Sequence, residues 1–250
     1  MLALHEVRKV FGGLAAVNGV SFAVAEDEIK ALIGPNGAGK TTVFNLITGV
    51  LPLTAGRITS GERRLDGRPP HAVAGCGIAR TFQNLQVFAH MSVLENVMVG
   101  CHRQGRRGMV AAALRTPGLL AEEQKLQAAA MGALEFVGLA DRAPEEASNL
   151  PFGRQRLLEL ARALAARPRL VLLDEPAAGL NTHETDQLGE LLRKVRASGI
   201  ALLLVDHDME LVMDISDEVV VLDRGEVIAQ GPPRQVQREA RVLAAYLGED

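Results

Sequence analysis

The amino-acid sequence predicts an α/β fold with a mainly parallel sheet, antiparallel strands near the N-terminus and an inserted α-helical subdomain. Three short and almost wholly apolar runs, at residues 29–33, 170–174 and 200–206, are typical of parallel strands that are buried on both faces. Between the last two runs, residues 184–197 repeat leucine and valine at helical spacing. A strand, a helix and a second strand in this order indicate a right-handed crossover within a parallel sheet.

Periodicity predicts further strands near both ends of the chain. Apolar residues alternate with polar ones at 2–7 and 20–25, as expected for strands with one buried face. Two more apolar runs, at 219–222 and 227–230, lie on either side of a predicted turn at 224–225.

The middle of the chain has a different character. It lacks a convincing strand pattern and contains several helical stretches, one of them at 119–137, whereas Gly-Arg-Arg-Gly at 105–108 predicts a loop. We therefore expect a single domain, 1–250, with a helical insertion. Its predicted parts are an α/β core at 1–91 and 167–231, a helical subdomain at 92–166 and a helical tail at 232–250.

Composition excludes several classes of protein. The 250 residues include 27 basic and 30 acidic side chains, and the formal net charge of −3 argues against a broadly basic surface for nucleic acid. No apolar run approaches the roughly 18 residues that cross a bilayer, and no signal-peptide pattern is visible. Cys76 and Cys101 have no histidine or cysteine at metal-ligand spacing, so we expect inert thiols in a reducing cytosol.

The strongest motif is Gly-Pro-Asn-Gly-Ala-Gly-Lys-Thr at 34–41, between a predicted strand and a helix predicted at 40–49. In this P-loop pattern, glycines let backbone N–H groups surround phosphate oxygens, and the helix adds the positive end of its dipole. Lys40 is expected to reach the β- and γ-phosphates of a nucleoside triphosphate, and the Thr41 hydroxyl is expected to bind Mg²⁺. The residues predicted to contact the nucleotide here are Gly34, Pro35, Asn36, Gly37, Ala38, Gly39, Lys40, Thr41 and Thr42.

Two acidic residues and a histidine follow the predicted buried strands. Asp174 could hold the Mg²⁺ shell, and the adjacent Glu175 could polarise a water in line with the γ-phosphate. His207 follows the third strand and could donate to the γ-phosphate or steady the attacking water. A solvated acidic pair and a structural histidine are the simpler interpretations, but the P-loop favours the functional ones.

With these motifs in this order, the chain resembles the nucleotide-binding subunits of ABC transporters over nearly its whole length. The resemblance implies that the nucleotide is ATP and that Asp174 holds Mg²⁺ through water. It implies that Gln83, in Arg-Thr-Phe-Gln at 80–83, contacts Mg²⁺, takes part in catalysis and links to a transmembrane partner. Phe11 occupies the place of an aromatic that stacks on adenine, although an aromatic near a strand end is more often part of a core.

A segment near Leu150 corresponds to the family's signature, which usually reads Leu-Ser-Gly-Gly-Gln and here reads Leu-Pro-Phe-Gly-Arg at 150–154. The resemblance implies that Phe152, Gly153 and Arg154 contact the ATP of an opposite subunit. The following helix, predicted at 154–166, can offer N–H groups and a favourable dipole to phosphate. Pro151 lacks the usual hydroxyl, and Arg154 either compensates for it or lies in solvent.

Several stretches are similar to the ATPases of bacterial branched-chain amino acid importers, namely 11–17, 80–85, 94–97, 176–181 and 245–248. The resemblance implies an ATPase that powers uptake of hydrophobic or branched-chain amino acids through separate permease subunits. It also implies a homodimer or a heterodimer with a sister ATPase, a periplasmic or extracellular solute-binding protein, and a place on the inner face of the bacterial membrane.

A docking groove for the permease is expected along residues 83–99. Its apolar side chains either contact the permease or pack the protein internally; they are Phe82, Leu85, Val87, Phe88 and Met91. Three alternatives stay open for the function. They are an importer ATPase for another solute such as urea or an aromatic acid, a soluble ABC protein that acts on ribosomes or DNA, and a regulatory module that binds ATP without hydrolysing it.

Overall fold

The computed structural model describes residues 1–102 and 117–247 of the chain. It contains two compact units, one made of Met1–Arg80 with Arg169–Asp250 and the other of Thr81–Pro168. The predicted core and helical subdomain had boundaries at 91/92 and 166/167, and these remain predictions. The predicted loop at 105–108 and the last three residues of the predicted tail lie outside the described residues.

The first unit contains two β-sheets. Within the described residues, the larger sheet has the strand order β10-β9-β3-β8-β7-β6, in which β10 runs antiparallel to β9 and the other neighbours are parallel. The smaller sheet is antiparallel, with the order β2-β1-β4-β5, so the predicted α/β fold is confirmed. The strands are β1 Leu2–Phe11, β2 Leu14–Val24, β3 Ile29–Ile33, β4 Ala55–Ser60, β5 Arg63–Arg64, β6 Ile78–Arg80, β7 Leu170–Asp174, β8 Ala201–Val205, β9 Glu218–Asp223 and β10 Glu226–Gly231.

Strands β3, β8 and β7 lie side by side, and every residue in them is buried. Burial on both faces explains why they read as continuous apolar runs instead of alternating ones. Asp174 pairs with Val205, and Ile29 pairs with Leu202. Because the three strands are parallel, their carboxyl ends meet at one edge of the sheet.

The N-terminal strands are longer than their alternation predicts. The predicted strand at 2–7 continues to Phe11, because a register shift between Leu4 and Val7 interrupts the alternation without ending the strand. Glu6 lies in this irregularity with φ 47°, a left-handed conformation that β-strands do not normally contain. The short strands β4, β5 and β6 were not predicted.

The described part of the chain contains nine α-helices and two short 3-10 helices, Ala140–Arg142 and Ala147–Asn149. Helix 182–197 begins with a capping box in which the side chains of Asn181 and Glu184 each accept a hydrogen bond from the other residue's backbone N–H. The helices are α1 Lys40–Ile47, α2 Pro70–Ala74, α3 Val93–Gly100, α4 Pro117–Val137, α5 Phe152–Ala165, α6 Thr182–Ala197, α7 Met209–Ile215, α8 Pro233–Val236 and α9 Ala240–Leu247.

The core of the first unit lies between its two sheets and α1. Phe44 and Ile47 of α1 are fully buried in it, together with Leu2 and Val20 of the smaller sheet and Leu172 of the larger one. Each such side chain contributes roughly 1.5–3 kcal/mol relative to an exposed one. The segment that connects β3 to α1 is therefore anchored at both ends in a well-packed core.

The second unit is helical: α3, α4 and α5 pack against one another. Helix α5 begins at Phe152 with Pro151 as its N-cap, so the predicted start at residue 154 is two residues late. Proline favours this place because its extended backbone precedes the first turn and it has no N–H to leave unpaired. Within residues 1–102 and 117–247, no helix is both long enough and apolar enough to span a bilayer.

Candidate functional site

The loop between β3 and α1 fits tightly against its surroundings at two glycines. Gly34 has φ 148°, and a Cβ at this position would lie 2.0 Å from the carbonyl oxygen of Leu222. Gly39 has φ 105°, and a Cβ there would lie 2.5 Å from the carbonyl oxygen of Ala16. Both positions require glycine, because any side chain would collide with backbone atoms and would also occupy an unfavourable conformation.

Lys40 brings its positive charge inside this loop. Its side chain is only 7% exposed, and Nζ donates hydrogen bonds to the carbonyl oxygens of Gly34 at 2.5 Å and Pro35 at 2.9 Å. Helix α1 begins at the same residue, so the positive end of the helix dipole lies beside the ammonium group. The ammonium group and the helix dipole together favour anions at this loop, and its binding of phosphate stays a prediction.

A cleft of about 560 Å³ borders the loop on residues 35–38. It is also lined by Arg224 in the turn between β9 and β10, and by Arg241 and Ala244 of α9. Asp223 is the acidic residue among those that line it. The cleft brings the C-terminal helix next to the loop, which the sequence did not indicate.

Glu175 and His207 come together from two neighbouring strands. Glu175 follows β7, and its backbone N–H donates to the carbonyl oxygen of Val205 at 2.7 Å. His207 follows β8, and its Nε2 lies 3.2 Å from Oε1 of Glu175. The histidine side chain is half exposed, whereas that of Glu175 is 18% exposed. Glu175 has φ 50°, a strained value for a residue with a side chain, at the bend after the strand.

Asp174 forms a buried ion pair that the sequence did not reveal. Arg80, at the end of β6, donates from Nη2 to Oδ2 of Asp174 at 2.7 Å, and both side chains are less than a tenth exposed. Nη1 of Arg80 also donates to Oδ1 of Asn45 at 2.7 Å, and its guanidinium lies 5.5 Å from the ring centre of Phe44. The arginine therefore ties the end of β7 to helix α1.

Asp206 is a second buried carboxylate at this edge, and it too was missed. Its Oδ2 accepts a hydrogen bond from the backbone N–H of Ala177 at 2.9 Å, and its Oδ1 accepts one from Asp208 at 3.0 Å. Burial raises the pKa of Asp206, while the backbone N–H groups favour its charged form. This carboxylate joins the loop after Glu175 to the loop that carries His207. Its signal in the sequence was an acidic residue directly after an apolar run.

Phe11 lies at the end of β1, where the β1–β2 hairpin turns. Its ring is 45% exposed, and Nζ of Lys9 lies 4.9 Å from the ring centre. An exposed ring can stack on a flat base, whereas a ring packed in a core cannot. Its contact with adenine stays a prediction.

The remaining predicted residues belong to the second unit. The carbonyl oxygen of Gln83 accepts a hydrogen bond from Nη2 of Arg156 at 2.9 Å. Phe152 and Gly153 occupy the first turn of α5, and the Phe152 ring is 45% exposed. Arg154 is exposed, and its Nη1 donates to the carbonyl oxygen of Gly138 at 3.2 Å. The roles of these four residues at a nucleotide stay predictions.

Comparisons with known proteins agree with the motif order. Residues 17–178 match the family described as ABC transporter, and residues 226–250 match the family described as branched-chain amino acid ATP-binding cassette transporter. The chain is 45% identical over 250 residues to the high-affinity branched-chain amino acid transport ATP-binding protein LivG of Salmonella typhimurium, with 100% of this chain and 98% of the relative covered. It is 45% identical over 240 residues to BraF of Pseudomonas aeruginosa, with 96% and 94% covered.

Solved structures give the same relationship. An ATP-binding cassette of an ABC transporter in its ADP conformation superposes with a TM-score of 0.87 at 30% identity, with 100% of this chain and 99% of that chain covered.

The two glycine environments predict different costs for the same substitution. In Gly39→Ala the Cβ meets a carbonyl oxygen, whereas in Gly37→Ala it meets nothing within 4 Å, and both residues have positive φ. Positive φ alone costs about 1–2 kcal/mol, and the collision adds about 1–3 kcal/mol. Urea unfolding should therefore show a lower midpoint for Gly39→Ala than for Gly37→Ala. Equal midpoints would contradict the close packing against Ala16.

Removing the charge of Arg80 should destabilise the protein through Asp174. In Arg80→Met the side chain keeps its apolar length but leaves a buried carboxylate without its ion-pair partner. The expected loss in the free energy of unfolding is about 3–5 kcal/mol. Arg64→Met is the control, because Arg64 pairs with Asp66 while its own side chain is 62% exposed. A loss in Arg80→Met no larger than in the control would contradict a structural role for the buried pair.

Proposed function

This chain belongs to the ABC transporter family of ATP-binding cassettes, and on that premise we propose that it powers uptake of branched-chain and other hydrophobic amino acids through separate permease subunits. As a member of that family it is an ATPase that binds nucleotide. The observation that carries the proposal is the 45% identity to LivG across the whole chain. The match of residues 226–250 to a model of branched-chain amino acid cassettes supports the same solute class.

In the proposed mechanism, the loop at 34–42 binds the phosphates of ATP. Lys40 turns from the carbonyl oxygens of Gly34 and Pro35 to the β- and γ-phosphates, which are stronger acceptors because they are charged. Backbone N–H groups and the dipole of α1 add positive potential. They are already oriented in the folded protein, so they need not rearrange when ATP binds. Phe11 stacks on the adenine.

The residues present fit Mg²⁺, which prefers oxygen ligands and retains several waters. The Thr41 hydroxyl would bind it directly, and Gln83 would contribute its amide oxygen. Because Oδ2 of Asp174 already accepts from Arg80, this carboxylate would act through water. When bound, the ion neutralises charge on the phosphates.

Glu175 and His207 carry out the hydrolytic step. Glu175 polarises the attacking water. Its side chain is partly buried, which keeps the carboxylate close to this water. His207, whose Nε2 lies 3.2 Å from Oε1 of this carboxylate, donates to the γ-phosphate or steadies the attacking water. The buried Asp206 joins the loop after Glu175 to the loop that carries His207. The distance between Glu175 and His207 is therefore kept while ATP is hydrolysed.

We also propose that two ATPase subunits act together, as a homodimer or with a sister subunit. No side chain caps the first turn of α5, so backbone N–H groups at 152–154 can point to the phosphates of an ATP held by the other subunit. Closing and reopening of this dimer would move the permease. The exposed rings of Phe82 and Phe88 supply apolar contacts for it.

The chain would then work on the inner face of the membrane, bound to its permease and supplied indirectly by a solute-binding protein. Affinity purification from detergent-solubilised membranes tests this. We expect a co-purifying permease and ATPase activity that rises when a branched-chain amino acid and its binding protein are added. Recovery with ribosomes or DNA and without a membrane protein would contradict the proposal.

Substitution of Glu175 should separate binding from turnover. We expect Glu175→Gln to bind ATP as the parent does while kcat falls about 10²–10⁴-fold, because the amide is a far weaker base. Lys40→Ala should instead weaken ATP binding itself. The measurements are phosphate release by the assembled transporter and equilibrium ATP binding. Unchanged turnover in Glu175→Gln would exclude Glu175 as the base.

A further inference from the structure

The segment 82–91, which contains Gln83, is held to helix α5 by a buried arginine. Arg156 donates from Nη1 to the carbonyl oxygen of Phe82 at 3.2 Å and from Nη2 to that of Gln83 at 2.9 Å. Its guanidinium also lies 5.3 Å from the ring centre of Phe152. One planar group thus spans two consecutive peptide units, and a lysine ammonium could not match that geometry.

A buried carboxylate on the same helix binds the N–H groups of this segment. Glu159 is 3% exposed, and its Oε1 accepts from the backbone N–H of Phe82 at 3.4 Å. Burial raises the pKa of Glu159, while hydrogen bonding to the backbone of Phe82 and Gln86 favours its charged form. Arg156 and Arg162 each approach Glu159 to 3.8 Å, which compensates its buried charge.

The far end of the segment is held as well. Arg162 lies 5.6 Å from the ring centre of Phe88, and the fully buried Asn96 accepts from the Phe88 N–H at 2.8 Å. Asn96 also donates to the carbonyl oxygens of Phe88 and Met91, at 3.0 and 3.3 Å. The segment is therefore fixed along its length by side chains of α3 and α5.

We propose that Arg156 and Glu159 are positioning residues, which hold the backbone of Gln83 to α5, the helix that begins at the signature segment. Segment 82–91 and α5 then move as one body. The consequence rests on the proposed function: the signature meets ATP of the other subunit, and segment 82–91 meets the permease. Movement of α5 towards ATP is then transmitted to the permease contact through these hydrogen bonds.

Hydrogen–deuterium exchange of the isolated chain tests the attachment without any transport assay. In Arg156→Met, which loses both of its hydrogen bonds to the segment, we expect exchange at 82–86 to accelerate about tenfold or more. In Glu159→Gln the amide oxygen still accepts from the Phe82 N–H but without the charge, so we expect a smaller acceleration. Arg156→Lys should give a smaller increase. Arg142→Met is the control, because its ion pair with Glu145 is on the surface of the same unit. Unchanged exchange at 82–86, or an equal increase throughout α4 and α5, would overturn the proposal.

The transporter reconstituted in nanodiscs tests the consequence. We expect Arg156→Met to bind ATP like the parent but to lose at least about half of the stimulation of ATPase activity by solute-loaded binding protein, with partial rescue in Arg156→Lys. Full stimulation in Arg156→Met would overturn the transmission of movement. A parent that no solute stimulates would instead contradict the proposed function, and the exchange experiment would still decide whether the two residues position Gln83.

Discussion

Parallel pairing of β3, β8 and β7 is the constraint on which the rest of the molecule depends. With Asp174 opposite Val205 and Ile29 opposite Leu202, the three strands end at one edge, and their loops leave the sheet side by side. The loop at 34–42, Glu175 and His207 therefore follow strands that end at the same edge, although Gly34 and His207 are 173 positions apart in the sequence. Helix α1 and the smaller sheet pack on these strands in the core of the first unit.

Charges buried beneath this edge give the loops their fixed geometry. A buried carboxylate is costly unless it is paired, and here Asp174 has Arg80 whereas Asp206 has backbone N–H groups. The same principle recurs in the second unit, where Arg156 and Glu159 bind backbone atoms of segment 82–91. Asp206, Arg156 and Glu159 thus hold main chain, whereas Arg80 and Asp174 hold each other's side chains.

Local patterns were sufficient to predict the sheet core, the glycine-rich loop and the placement of Glu175 and His207 after neighbouring strands. They were insufficient for β6, because three residues cannot establish a period. They were also insufficient for β1 beyond Val7, because the left-handed residue Glu6 interrupts the alternation. The pairing of Arg80 with Asp174 could not be predicted, since it joins residues 94 positions apart. Arg156 and Glu159 read as ordinary charged helix positions, and only tertiary contacts reveal their burial.

The central claim is that the loops after β3, β7 and β8 form one nucleotide site. Hydrogen–deuterium exchange of the wild-type chain, with and without magnesium and a non-hydrolysable ATP analogue, tests it most directly. The account predicts slower exchange in all three loops, at 34–42, 174–178 and 205–208, with a common dependence on nucleotide concentration. Slower exchange at 34–42 alone would contradict it, because Glu175 and His207 would then lie outside the site that binds the nucleotide.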